Sequence, residues 1–143
     1  MKKIICIIAV VLLIASVVGA QKKATKITPK DLPGMKGTWS GVLTFGQLTE
    51  WGSSPATLEI LNDSVPVKTK LTIENMPTAL TQLLGLWSGT NIFDEADGVI
   101  NTKGTVLCTG PMGFFEITKS ADKDFMVTYW YRGLKGDGIF SKK

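Results

Sequence analysis

The chain has 143 residues, with 16 Lys plus Arg against 12 Asp plus Glu, two cysteines and no histidine. One domain is the natural count for this length, and the missing histidine excludes His-dependent serine and cysteine triads and His-containing zinc sites. The formal charge of +4 raises nucleic acid or an acidic surface as a partner, a reading that the distribution of the charge removes.

In chain order, Met1 to Ala20 reads as a secretory signal peptide. Lys2 and Lys3 form the positive start, Ile4 to Val18 is an uncharged apolar run, and Val18-Gly19-Ala20 is a small-residue cleavage site. The apolar run stops short of the ~20 residues a spanning helix needs. Gln21, not cysteine, follows the cleavage site, which argues against a lipid anchor. The expected location is the periplasm or the extracellular space, with no integral membrane segment after cleavage. The mature chain would keep Cys108 alone, in the strand-like run Thr105 to Thr109, where burial is the expected state.

Residues 21–36 hold Lys22, Lys23, Lys26 and Lys30 among Thr and Pro with no hydrophobic period, and read as a flexible basic leader. From Leu32 onward, nine Lys and one Arg face eleven acids, a net of −1. The excess charge belongs to the leader, so no nucleic-acid partner is expected.

Residues 37–143 form one domain of short alternating runs divided by Gly, Asn, Asp and Pro, the pattern of an antiparallel all-β fold. The predicted strands are Thr38 to Phe45, Ala56 to Leu61, Val67 to Glu74, Gly98 to Thr102, Thr105 to Thr109, Phe114 to Thr118, Phe125 to Arg132 and Leu134 to Ser141. In the first, Trp39, Gly41, Leu43 and Phe45 share one face. In the third, Val67, Thr69, Leu71 and Ile73 oppose Lys68, Lys70, Thr72 and Glu74, so one face meets water. Between the third and fourth strands, Leu80, Leu83, Leu84 and Trp87 fall at helical spacing, with Pro77 suited to a first turn and Asn75 to a cap. Eight such strands close best as an up-and-down barrel with one short helix, which removes open sheet edges. A β-sandwich is the alternative.

Met35-Lys36-Gly37-Thr38-Trp39-Ser40-Gly41 resembles the Gly-x-Trp first-strand motif of the lipocalins and the wider calycin superfamily. With Tyr131-Arg132-Gly133 and the glycine-rich last strand, the chain is similar to small bacterial exported lipocalin-like domains. The resemblance implies an eight-stranded barrel whose first-strand tryptophan closes one end, with Arg132, the only arginine, packed over Trp39 as a structural plug. The domain is shorter than a typical lipocalin and lacks the usual disulfides. Avidin-like barrels also begin with Gly-x-Trp, but no biotin-contacting residue can be matched.

Asp94-Glu95-Ala96-Asp97-Gly98 places three carboxylates in five residues. Its spacing does not fit an EF-hand, and it reads as an acidic solvated loop leading into a strand. Gly133 to Gly138 lacks the strand-to-helix context of a phosphate loop and reads as a hairpin. No catalytic constellation, metal site or cofactor is expected. The reading of these residues is a non-enzymatic exported barrel binding a small apolar or amphipathic ligand, with Trp39, Leu43, Leu71, Trp87, Tyr129 and Trp130 as candidate binding residues. The alternative is a protein-interaction or inhibitor module of the cell envelope with a filled barrel, making contacts through Trp51, Trp87 and the loops.

Overall fold

The computed structural model describes residues 24–143. The expected signal peptide and the first residues of the leader lie outside this range. Nine strands make one antiparallel sheet. They are β1 (Ala24–Thr25), β2 (Gly37–Phe45), β3 (Gly52–Ile60), β4 (Val67–Ile73), β5 (Ile92–Ile100), β6 (Val106–Thr109), β7 (Phe114–Ser120), β8 (Phe125–Tyr131) and β9 (Leu134–Lys142). Strands β2 to β9 each pair with the next, and β9 returns to β2 through Trp39↔Lys142 and Phe45↔Gly136, so the sheet closes as an eight-stranded barrel. This is the expected architecture, and closure excludes the sandwich.

The seam between β2 and β9 is a point of close backbone approach. A Cβ on Gly138 would collide with the Val42 carbonyl, and one on Gly41 with the Ile139 carbonyl and the Phe140 ring. Glycine at these two positions lets the last strand reach the first.

Alternation sorts the side chains as the sequence requires. Trp39, Leu43 and Phe45 on β2, Val67, Thr69, Leu71 and Ile73 on β4, and Phe125, Val127, Tyr129 and Tyr131 on β8 all point inward and are buried. With Phe115 and Phe140 they fill the lumen. Little slack remains: a Cβ on Gly136 would sit 2.7 Å from the Phe45 ring, and one on Gly98 2.7 Å from Val106 Cγ1. Each large core residue of this kind stabilises the fold by about 1.5–3 kcal/mol through burial.

Strand β5 is longer than its sequence signal. Asp94 to Asp97, expected as a loop, lies inside it, with Asp94 and Ala96 turned inward and Glu95 and Asp97 turned outward. Runs of acidic residues are poor strand formers by composition. Here pairing with β4 along the whole acidic stretch, joined by β6 from Asp97 onward, holds the strand.

The two ends are closed differently. At the lid end, helix α2 (Thr78–Leu84) lies between β4 and β5. Pro77 itself occupies the N-cap position, in place of the expected Asn75, and Gly85 ends the helix at φ 69°. Leu80, Thr81 and Leu84 are buried beneath it. At the opposite end lies the segment expected as a flexible leader. From Ala24 onward it is folded: β1 pairs with the end of β7, a 3₁₀ turn spans Pro29–Asp31, and helix α1 (Leu32–Met35) follows. Ile27, Leu32 and Met35 are buried as a plug under the barrel. These three side chains show no period, so only their fit to the barrel end makes them a core face.

Candidate functional site

The plug and the barrel rim leave an open cleft of about 620 Å³ between them. Its floor is the Trp39 indole, Met35 and Phe125, and its walls carry Lys30, Asp31, Lys119, Lys123, Asp124 and Lys142. The floor is rigidly set. Trp39 Nε1 donates to the Met35 carbonyl at 2.8 Å, and its ring lies 3.9 Å from Phe125, centroid to centroid, tilted by 34°. Lys142, the register partner of Trp39, places Nζ 5.5 Å from the indole centroid and donates to the Gly34 carbonyl at 3.1 Å.

The wall is set by a capping box. Asp31 Oδ2 accepts from the Thr28 amide at 2.7 Å and from its hydroxyl at 3.0 Å, and Oδ1 accepts from Lys119 Nζ at 3.0 Å. The Thr28 amide, then Lys119, hold the Asp31 carboxyl down at about 2.

The expected contact of Arg132 with Trp39 is not made. Strand β8 runs from Phe125 at the plug end to Tyr131 at the lid end, roughly 20 Å of extended chain, and Arg132 turns out of it at φ 48°. Its Nη1 donates to the Leu84 carbonyl at 3.1 Å, the C-terminal end of α2, where a cation is favoured. Over Trp39 the cation is Lys142.

The six candidate binding residues divide into three places. Trp39 floors the cleft. Leu43, Leu71 and Tyr129 meet in the filled core, each at most 1 % exposed. Trp87 and Trp130 stand outside. Trp130 faces outward on β8 and stacks on Phe114 at 4.9 Å, while Trp87 is 89 % exposed. The helical period that linked Trp87 to Leu80 stops at Gly85, three residues after Gln82, and the chain turns away. Trp51 is half-buried against the core. The Lys residues of the cleft come from the segment before the barrel (Lys30), the end of β7 (Lys119), the β7–β8 turn (Lys123) and the end of β9 (Lys142), a grouping with no local sequence signal.

A second polar feature lies inside the barrel. Asp94 is fully buried, and its Oδ1 accepts from the Met112 amide at 3.3 Å, pinning the β6–β7 turn. Burial raises its pKa, while the Met112 and Gly113 amides and the Tyr129 hydroxyl oppose the rise. Burial, then the Asp94 charge, raises that of Tyr129. Yet Asp94 Oδ2 and Tyr129 Oη both lack a hydrogen-bond partner of good geometry. Glu95 and Asp97 face the other way, with Asp97 paired to Lys68 at 2.8 Å, so Asp94 is separated from the other two carboxylates. Cys108 is buried as expected, and burial pushes its thiol up to about 12, far from the range of a reactive thiolate.

Pairing and burial therefore define a small closed antiparallel β-barrel with a packed interior and an aromatic-floored cleft at one end. Comparison with known proteins found no matching family model, no matching curated protein and no matching solved structure. Among the described residues no helix is long and apolar enough to cross a membrane.

Proposed function

We propose that this chain is an exported, non-enzymatic, lipocalin-like binding module whose small amphipathic ligand seats in the cleft at the Trp39 end. One observation carries the reading: a 620 Å³ recess floored by two aromatic rings in contact, Trp39 and Phe125, lies beside a lumen already occupied by side chains. Its size falls in the range of small-molecule sites, and flat rings give an apolar body a large contact area at little entropic cost. The binding surface is thus the outside of the closed end. The test uses the full chain carrying Trp51→Phe, Trp87→Phe and Trp130→Phe, which leaves Trp39 as the sole tryptophan. Titration with a panel of short-chain amphiphiles is expected to shift the Trp39 indole N–H resonance saturably. A panel that leaves that resonance still sinks the reading.

A second reading, a protein-interaction module of the envelope, is favoured by the lid end. There Trp87 and Leu48 are 89 % and 85 % exposed, beside Leu83 at 55 %. It predicts that Trp87→Ala abolishes a specific cross-link to an envelope protein formed by the wild-type chain; an unchanged cross-link removes it.

A further inference from the structure

The cleft carries information about its ligand's charge. The folded part of the chain is near neutral, yet four ammonium groups, on Lys30, Lys119, Lys123 and Lys142, converge on one recess against two carboxylates, on Asp31 and Asp124. The Asp31 carboxylate is already committed on both oxygens, to Thr28 and to Lys119. The aromatic face that would receive a ligand cation is already covered by Lys142, 5.5 Å above the Trp39 ring. A cationic guest would have to displace that ammonium and then meet the remaining lysines. An anion meets them directly, with its apolar body on Trp39 and Phe125.

We infer that the cleft selects an amphiphile bearing an oxyanion, a carboxylate, sulfate or phosphate on a short apolar body, with Lys30 and Lys123 at the rim as the residues that read the charge. This deepens the binding reading above and rests on the cleft being the site. The shared chemistry has two sources, a free amphiphile in solution or the head group of an acidic lipid in a bilayer.

The experiment titrates the full-length variant with Trp39 as its only tryptophan against octyl sulfate, octanol and octyltrimethylammonium, each below its micelle concentration. The readout is the Trp39 indole N–H resonance. Octyl sulfate is expected to bind about tenfold tighter than octanol and the cation weakest, with the sulfate's advantage shrinking between 0.05 and 0.5 M salt, on the order of the range over which screening removes surface electrostatics. Lys30→Gln with Lys123→Gln is expected to weaken octyl sulfate binding by about threefold to fivefold per lysine, the worth of one partly screened ion pair, and to leave octanol binding unchanged. Lys30→Arg with Lys123→Arg restores the affinity, which separates charge from fold. Sedimentation with phosphatidylglycerol but not phosphatidylcholine vesicles, lost in the Gln variant, assigns the oxyanion to a bilayer lipid. Binding of octyl sulfate alone assigns it to a free amphiphile. Equal affinity for all three probes, or sulfate binding insensitive to salt and to the Gln variant, overturns the oxyanion inference and leaves the cleft standing as a site. No shift with any probe removes the site itself.

Discussion

The two ends of the barrel solve one problem, covering an open cylinder of strands, by opposite means. The lid end uses a local element: seven residues of helix between neighbouring strands, stopped by a left-handed glycine and tied by Arg132 to its last carbonyl. The plug end uses a segment that precedes the barrel, pinned by β1 to β7, by Ile27 N–H to the Gly104 carbonyl at 2.8 Å, and by the Trp39 indole to Met35. A helix made from adjacent sequence sheds its surplus apolar residues to the outside, as Leu83 and Trp87 show. A plug assembled from distant pieces leaves a recess where those pieces meet, and that recess holds the charge. The proposed binding site rests on that recess, at the plug end.

Three experiments sharpen that contrast, and the largest effects come first. Trp39→Ala removes a buried ring from Phe125 and strands the Met35 carbonyl, and is expected to cost about 3–5 kcal/mol in chemical denaturation. Leu80→Ala, under the lid, is expected to cost about 2–4 kcal/mol. If the lid variant proves the more damaging, the plug is the less essential closure and the contrast is reversed.

Next come the two acids, one at the plug end and one inside the barrel, which should answer pH with opposite signs. Asp31 is held below its ordinary value, so the stability it contributes is present above about pH 3.8 and lost as pH falls through about 2. Asp31→Asn is therefore expected to be less stable than wild type near pH 5, with the gap closing as the pH falls through that window. Asp94 is held above its ordinary value. Its contribution is full below pH 3.8 and is lost as pH rises through the raised value. Asp94→Asn should thus gain on wild type as pH rises from acid to neutral, because the variant no longer buries a charge while its amide oxygen can still accept from Met112. Melting temperatures measured from pH 2 to 8 decide both. Parallel pH profiles for the two variants would count against the opposite environments drawn above.

The smallest effect is expected at the lid's outer face. Trp87→Ala touches a side chain 89 % exposed and should change stability by no more than about 0.5 kcal/mol. A larger loss would mean that Trp87 packs onto the lid in solution, making that end as closed as the other.

Much of this molecule was readable as pattern. The two-residue period separated the two faces of β2 and β4 residue by residue, because the signal is local and the pleat admits one phase, whereas on β8 Tyr129 and Trp130 were both candidates for the binding site and only Tyr129 points inward. The helix was legible from Leu80 and Leu84, but its end was not, so Trp87 was drawn inward by a period that Gly85 interrupts. Of the cleft, Trp39 stood out through the Gly-x-Trp motif. Lys30, Lys123 and Lys142 looked like scattered surface charge, since nothing within a few residues of each one relates it to the others.

By itself the sequence determined the all-β class, most of the barrel strands and the helix between β4 and β5, since these follow from side-chain period and turn chemistry along the chain. The tertiary structure decided everything that depends on which end a residue reaches. It folded residues 24–36 into a plug, drew Asp94 into the core as part of a strand paired with β4, and sent Arg132 to the helix while Lys142 took its expected place over Trp39. The physical reason is closure: bringing β9 against β2 puts residues a hundred positions apart within contact distance, and no local rule carries that information.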